Sequence, residues 1–139
     1  MKNKNLIEII DIPKIKDDGY LYYVQHPDQI PFEIKRVYYI VSPVSGLPRG
    51  KHTHKKTRQI LFCIQGSVRM VLDDGFRREE IALSEPEKGI MLEPMIWHEM
   101  WDMDESTILL ILASEKFDPK DYIRNHNEFL RIVRTKKKK

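Results

Sequence analysis

His52 and His54, two residues apart in Arg49-Gly50-Lys51-His52-Thr53-His54, are the side chains of this sequence best suited to chemistry. Arg58-Gln59 follows them, and Gly66-Ser67 closes the stretch. Side chains alternate along an extended backbone, so residues at i and i+2 share a face when they lie in a strand. The next run, Ile60-Leu61-Phe62-Cys63-Ile64-Gln65, is short, apolar and β-forming, and Gly66 punctuates it. Both imidazoles are therefore expected to face one interior. With Gln59 on a neighbouring strand, a His, His, Gln cluster would sit inside a small β structure.

Two chemistries suit such a cluster. Histidine titrates near neutrality and can remove a proton and return it, worth about 10²–10⁴-fold each way. Such histidines could instead contribute to a site for Zn, Fe, Ni or Mn, with a position open for oxygenase or hydrolase chemistry. Gln59 is a neutral and poor ligand, which favours the metal-free reading. A role in core packing alone does not fit a strand that also carries Arg49 and Gly50 beside its two histidines.

The elements that must position these groups read as β structure. Residues 6–12 are expected as a first strand ended by Pro13, Asp17-Asp18-Gly19 as a turn, and residues 20–24 as a second strand. In residues 32–41, alternation puts Phe32, Ile34, Arg36, Tyr38 and Ile40 on one face. If that face is inward, Arg36 either meets an anionic partner or reaches out to a barrel mouth. Residues 67–72 and 76–83 bracket Asp73-Asp74-Gly75, the strongest hairpin signal in the chain. Residues 90–93, 96–101 and 107–113 are further strands. The period then changes: Asp118 as N-cap, Pro119 at the first helical position and the stripe Tyr122, His126, Phe129, Leu130, Val133 predict one amphipathic C-terminal helix. The expected fold is an all-β barrel or sandwich with a terminal helix.

Composition narrows the function classes. The chain of 139 residues has the length of one domain, and its 24 basic and 21 acidic residues give a formal charge of +3. Lys136 to Lys139 carry four of those positive charges, so the remaining 20 basic residues nearly balance the acidic ones. A near-neutral body argues against nucleic-acid binding. One domain is expected over 1–134, with 135–139 a disordered basic tail. The single Cys63 supports no disulfide framework and fits a reducing compartment, and no N-terminal signal segment is read. The longest apolar run, residues 108–113, is strand-sized, so no membrane span is expected and the cytoplasm is the expected location.

Among such folds the cupin jelly roll fits best. Gly50-Lys51-His52-Thr53-His54 with Gln59 and Gly66 resembles the first cupin motif, and Gly89 through Pro94 to His98 resembles the second. The resemblance tightens over Ile34-Lys35-Arg36-Val37-Tyr38-Tyr39-Ile40, Arg49 to Lys56, Gln59, Pro94-Met95-Ile96-Trp97-His98-Glu99-Met100 and Asp121-Tyr122-Ile123-Arg124-Asn125. Together these are similar to the sugar 3,4-ketoisomerases, which act on dTDP-4-keto-6-deoxyglucose on the way to 3-amino-3,6-dideoxyhexoses of surface glycans such as lipopolysaccharide. The resemblance implies a cupin-fold homodimer, no cofactor and no metal, and movement of the keto group from C4 to C3. It implies His52 as principal base, His54 as its neighbour in proton handling, Tyr38 in the same site and Arg36 available to the anionic substrate. Arg36, Arg49 and Arg58 are candidates for the diphosphate, with Gln59 and His98 as further pocket residues. Histidine at 98 resembles the family members that form the galacto product, whereas the gluco-forming ones carry arginine. The family usually has a polar or aromatic pocket residue near the N-terminal turn, where this chain has Lys16-Asp17-Asp18-Gly19. A metal-dependent cupin using His52, His54 and His98, or a sugar-nucleotide-binding cupin without activity, is the alternative.

Overall fold

Apolar residues every second position set which faces of the strands meet. In the computed structural model, which describes residues 5–137, they build two five-stranded antiparallel sheets. The strands are β1 (Ile9–Asp11), β2 (Lys14–Asp17), β3 (Gly19–Tyr22), β4 (Arg36–Val41), β5 (Arg49–His54) and β6 (Gln59–Gln65). They continue with β7 (Val68–Asp73), β8 (Arg78–Leu83), β9 (Lys88–Leu92), β10 (Trp97–Trp101), β11 (Ile108–Ala113) and β12 (Tyr122–Ile123). One sheet runs β1-β9-β6-β11-β4, the other β12-β5-β10-β7-β8, and the β2–β3 hairpin forms a small sheet of its own. This is the jelly roll expected of a cupin.

The two sheets share a core that includes Leu61, Met70, Leu72, Ile90, Leu109 and Ile111, all buried. Full burial of each such side chain stabilises the fold by about 1.5–3 kcal/mol relative to exposure. The run in β6 is apolar on both faces for a structural reason. Leu61 and Cys63 face the shared core, while Ile60 and Phe62 turn to an outer cluster covered by Ile30 and Phe32.

Several expected boundaries move. The first strand is only Ile9–Asp11, paired to β9, although Leu6 and Ile7 still pack against the core. The second is shorter too, closing with β2 as Lys14↔Tyr22 to Asp17↔Gly19. β4 begins at Arg36, because Phe32 and Ile34 leave the ladder to cover the outer cluster. Within β4 the alternation holds: Arg36, Tyr38 and Ile40 are half-buried, and Val37, Tyr39 and Val41 exposed. The Asp73-Asp74-Gly75 turn joins β7 to β8, and Asp73 Oδ1 accepts the Gly75 N–H at 2.7 Å. A side chain at Gly75 would meet Val133 at 2.4 Å, so only glycine lets the terminal helix lie this close.

The C-terminus differs most from expectation. Asp118 does cap, accepting from the Lys120 N–H at 3.0 Å, but the turn it starts is a single 3₁₀ turn, Pro119–Asp121. The chain then straightens into β12, which pairs with β5 as Tyr122↔His54 and Ile123↔Thr53. Lys55 N–H donates to the Asp121 carbonyl at 2.8 Å, and that tie to β5 replaces a helical hydrogen bond. The helix α1 starts only at His126 and runs to Lys137, with Asn125 Oδ1 accepting from Glu128 N–H at 2.9 Å. Phe129, Leu130 and Val133 pack against Trp97 and Ile123 as an apolar stripe, but Tyr122 belongs to β12 instead. The stretch expected as a tail from 135 begins as helix, and residues 138–139 lie outside the described residues.

Candidate active site

β5 and β10 are neighbours in one sheet, and their register sets His98 opposite His52. A bulge falls between His98 and Glu99, opposite Gly50. Gly50 has φ of +78°, and a side chain there would approach the His98 carbonyl to 3.1 Å, so glycine is required at this crossing. The imidazole of His52 lies 4.6 Å from that of His98 and 5.0 Å from that of His54, centre to centre. Nitrogens of all three rings fall within 4.8 Å of one another. The expectation from the i, i+2 spacing is met, and His98 joins the pair.

The facing sheet supplies Tyr38 from β4 and Gln59 from the start of β6. The Tyr38 hydroxyl donates to Gln59 Oε1, and Gln59 is fully buried. The Arg36 guanidinium lies 5.1 Å from the Tyr38 ring and 5.8 Å from the Phe117 ring, and its Nε is buried with no partner among the described residues. Of the two readings for Arg36, then, an anionic partner within the chain is not found among the described residues.

Three further residues complete the site, none of them singled out from the sequence as functional. Tyr122 lies 4.4 Å from the His54 ring and 5.1 Å from the His52 ring. Arg124 sits 4.3 Å from the Tyr122 ring and is close enough to disfavour positive charge on His52 and His54. Asp121, buried at the end of the 3₁₀ turn, accepts from His54 Nδ1 at 3.1 Å, from the Lys56 N–H at 2.8 Å and from the Thr57 hydroxyl. Asp121, Tyr122 and Arg124 stand in a motif that carried the family resemblance, but their reading as helix hid their place in the pocket.

Two of the candidate arginines stand apart from the cluster. Arg58 makes a two-pronged pair with Glu93, at 2.7 and 3.1 Å, with its guanidinium 5.7 Å from the Phe32 ring of the outer cluster. Arg49 is exposed at the start of β5. Asp18 lies in the turn of the β2–β3 hairpin, a sheet separate from the one that carries the three histidines.

Burial sets the electrostatics. It pushes His52 down to about 4 and lowers His54 and, furthest, His98, whose neighbours are themselves histidines. All three are neutral at physiological pH, so the cluster accepts protons. Burial, reinforced by Tyr122, raises the Tyr38 phenol far above its usual range, so Tyr38 keeps its proton and can only donate it. Asp121 stays an anion: burial would raise it, but donation from Thr57, Lys56 and His54 together brings it below the usual carboxylate range. The pocket thus combines neutral bases, a phenol donor and two cations, Arg36 and Arg124. That is the equipment for moving protons on an anionic carbonyl compound.

Comparison with known proteins agrees with this chemistry. Residues 4–134 match the family described as "FdtA: WxcM-like, C-terminal". A TDP-4-oxo-6-deoxy-alpha-D-glucose-3,4-oxoisomerase of Aneurinibacillus thermoaerophilus is 42% identical over 134 residues, 96% of this chain and 94% of that protein. The crystal structure of QdtA, a sugar 3,4-ketoisomerase from Thermoanaerobacterium thermosaccharolyticum in complex with TDP, matches with a TM-score of 0.90 and 38% identity, over 94% of this chain and 96% of that one. WlaRB, a TDP-quinovose 3,4-ketoisomerase from Campylobacter jejuni, matches with a TM-score of 0.86 and 39% identity, over 92% of this chain and 99% of that one. Near-complete coverage at this identity, on a pocket built from the residues that first suggested the resemblance, makes this chain a member of the sugar 3,4-ketoisomerase family.

Proposed function

We propose that this protein moves the keto group of dTDP-4-keto-6-deoxyglucose from C4 to C3 by acid/base proton transfer, in the biosynthesis of a deoxysugar. The observation that carries the reading is His52, neutral and half-buried between His54 and His98 with a phenol and two arginines around them. The C3 hydrogen is acidic because it is alpha to the C4 carbonyl. His52 removes it, and the resulting enediolate takes a hydrogen bond from Tyr38 once a sugar oxygen replaces Gln59 as acceptor of the phenol proton. Reprotonation at C4 and loss of the C3 hydroxyl proton complete the isomerisation. Arg36, with its unpartnered Nε, is the arginine that best fits the diphosphate, and Arg124 is the cation nearest to it in role. Incubation with the substrate in deuterated water tests the reading. Deuterium at the exchanging carbons with formation of the 3-keto sugar is expected, and binding without exchange would make this a sugar-nucleotide-binding cupin only.

One observation favours a second reading: the three imidazoles are close enough to close on a single divalent ion. Against it, the position that supplies a fourth anionic ligand in metal cupins is Gln59, and its oxygen accepts from Tyr38. Full activity is expected to survive prolonged dialysis against a chelator. Loss of activity restored by one divalent ion would instead establish the metal enzyme.

The working form proposed is a homodimer through the N-terminal strands, in the cytoplasm. β1 is the edge of its sheet, and the β2–β3 hairpin exposes Ile15, Tyr20 and Leu21, an arrangement that leaves apolar strand open to pairing. The free, buried Cys63 suits a reducing compartment, and among the described residues no helix is long and apolar enough to cross a membrane. Light scattering at micromolar concentration is expected to give twice the chain mass of 16.6 kDa, and a monomer mass would exclude the dimer.

A further inference from the structure

Asp121 touches none of the reacting groups in the scheme above, yet it is the most heavily engaged carboxylate near them. Its side chain is 3% exposed, and that of His54 is 2% exposed. The Lys56 backbone N–H can only donate, and it reaches Asp121 Oδ1 at 2.8 Å. The Thr57 hydroxyl and His54 Nδ1 both meet Oδ2, the latter at 3.1 Å. An ionised carboxylate has no proton to give, so each of these contacts is a donation to it. The proton of a neutral His54 is therefore on Nδ1. Nε2 is the nitrogen left to the cluster, and it is buried without a partner among the described residues. Among the described residues His52 and His98 have no such carboxylate: His98 Nδ1 meets the Ile96 carbonyl at 3.4 Å, and His52 Nδ1 has no hydrogen-bond partner there.

We infer that Asp121 is a positioning residue: it fixes His54 in the Nδ1-protonated tautomer and turns the Nε2 lone pair toward the reacting sugar. The inference rests on the isomerase reading for its effect on rate, though not for the tautomer itself. In the isomerisation, the hydroxyl on C3 loses its proton as that carbon becomes the carbonyl, and the oxygen on C4 gains one. His54 Nε2 accepts the first proton and returns it to the second oxygen, so the residue ends each turnover as it began. While it holds the proton, His54 is an imidazolium against the Asp121 anion, an arrangement that the other two histidines lack.

The tautomer is readable without substrate. In two-bond ¹H–¹⁵N spectra of the wild-type protein, His54 is expected to show a protonated Nδ1 and an unprotonated Nε2. In Asp121→Asn the amide NH₂ can donate to Nδ1, so the proton is expected to move to Nε2. With it kcat is expected to fall about 10²-fold or more, while KM stays unchanged. A wild-type His54 protonated on Nε2 overturns the inference, and this holds even if the variant fails to fold. So does a variant that keeps the Nδ1-protonated tautomer whatever its rate, or one that reverses the tautomer with kcat unchanged. If the wild-type protein does not isomerise the sugar at all, the proposed function fails while the tautomer result still stands.

Discussion

His52→Asn is expected to lower isomerisation by about 10²–10⁴-fold and to abolish wash-in of deuterium at C3, with TDP binding retained. Asparagine approximates the size of the imidazole and keeps a polar group opposite His98, but it cannot take a proton. Its neighbours cannot easily replace it. His98 is as deeply buried as His54 and is the least able of the three to carry charge. His54 has one nitrogen committed to Asp121. Binding should survive because the cations that meet the diphosphate belong to other elements, Arg36 on β4 and Arg124 after β12. The pH profile gives a second check on the same residue. A base works when neutral, and burial holds His52 neutral down to about 4. The acid limb of kcat/KM, which reports the free enzyme, is therefore expected near that value and well below the ordinary histidine range near 6.5. Tyr38 is pushed upward and stays protonated, so it adds no alkaline limb near neutrality. A C3 exchange rate unchanged in His52→Asn would move the base to another residue, and an acid limb near 6.5 would show that burial does not control it.

Part of this site could be read from the sequence because the chemistry lies on regular strands. An i, i+2 spacing brings His52 and His54 to one face, and the same alternation puts Arg36 and Tyr38 together on β4. The residues missed are those whose position depends on distant partners. Asp118-Pro119 is a sound helix start, and Tyr122, His126 and Phe129 do fall at helical spacing. What breaks the pattern is Asp121, held by partners 64 to 67 positions earlier in the chain. Local periodicity carries no trace of that tie, so β12 and its Tyr122 were absorbed into the helix. Arg58 shows the same limit in reverse: it follows the histidine strand and looks available to substrate, but Glu93, 35 residues on, takes it.

The product is expected to have the galacto configuration at C4, formed when the enediolate is protonated on the face that His98 serves. The planar intermediate keeps no memory of the ketone it came from, so the face that carries a proton donor decides the outcome. His98 is set against His52 by the β5–β10 register, with its ring 4.6 Å from that of the proposed base, which is the observation that makes it the candidate to serve C4. Neutral in the site, it can hold a water that relays to C4 the proton taken up by His52, without itself carrying charge. An arginine at this position would remain charged and could only orient the sugar. Similarity over the whole chain, 39% identity to a TDP-quinovose 3,4-ketoisomerase included, does not by itself say which residue donates to C4. Asp18, the other residue expected to bear on this choice, is in the turn of the β2–β3 hairpin, a sheet separate from the one that carries the histidines. That leaves His98 as the residue to test. In the gluco ring H4 and H5 are both axial and couple strongly, whereas the equatorial H4 of the galacto ring couples weakly. A weak H4–H5 coupling is expected in the proton spectrum of fresh product. A strong coupling would show that the donor lies on the opposite face, and the hairpin carrying Asp18 would become the element to mutate.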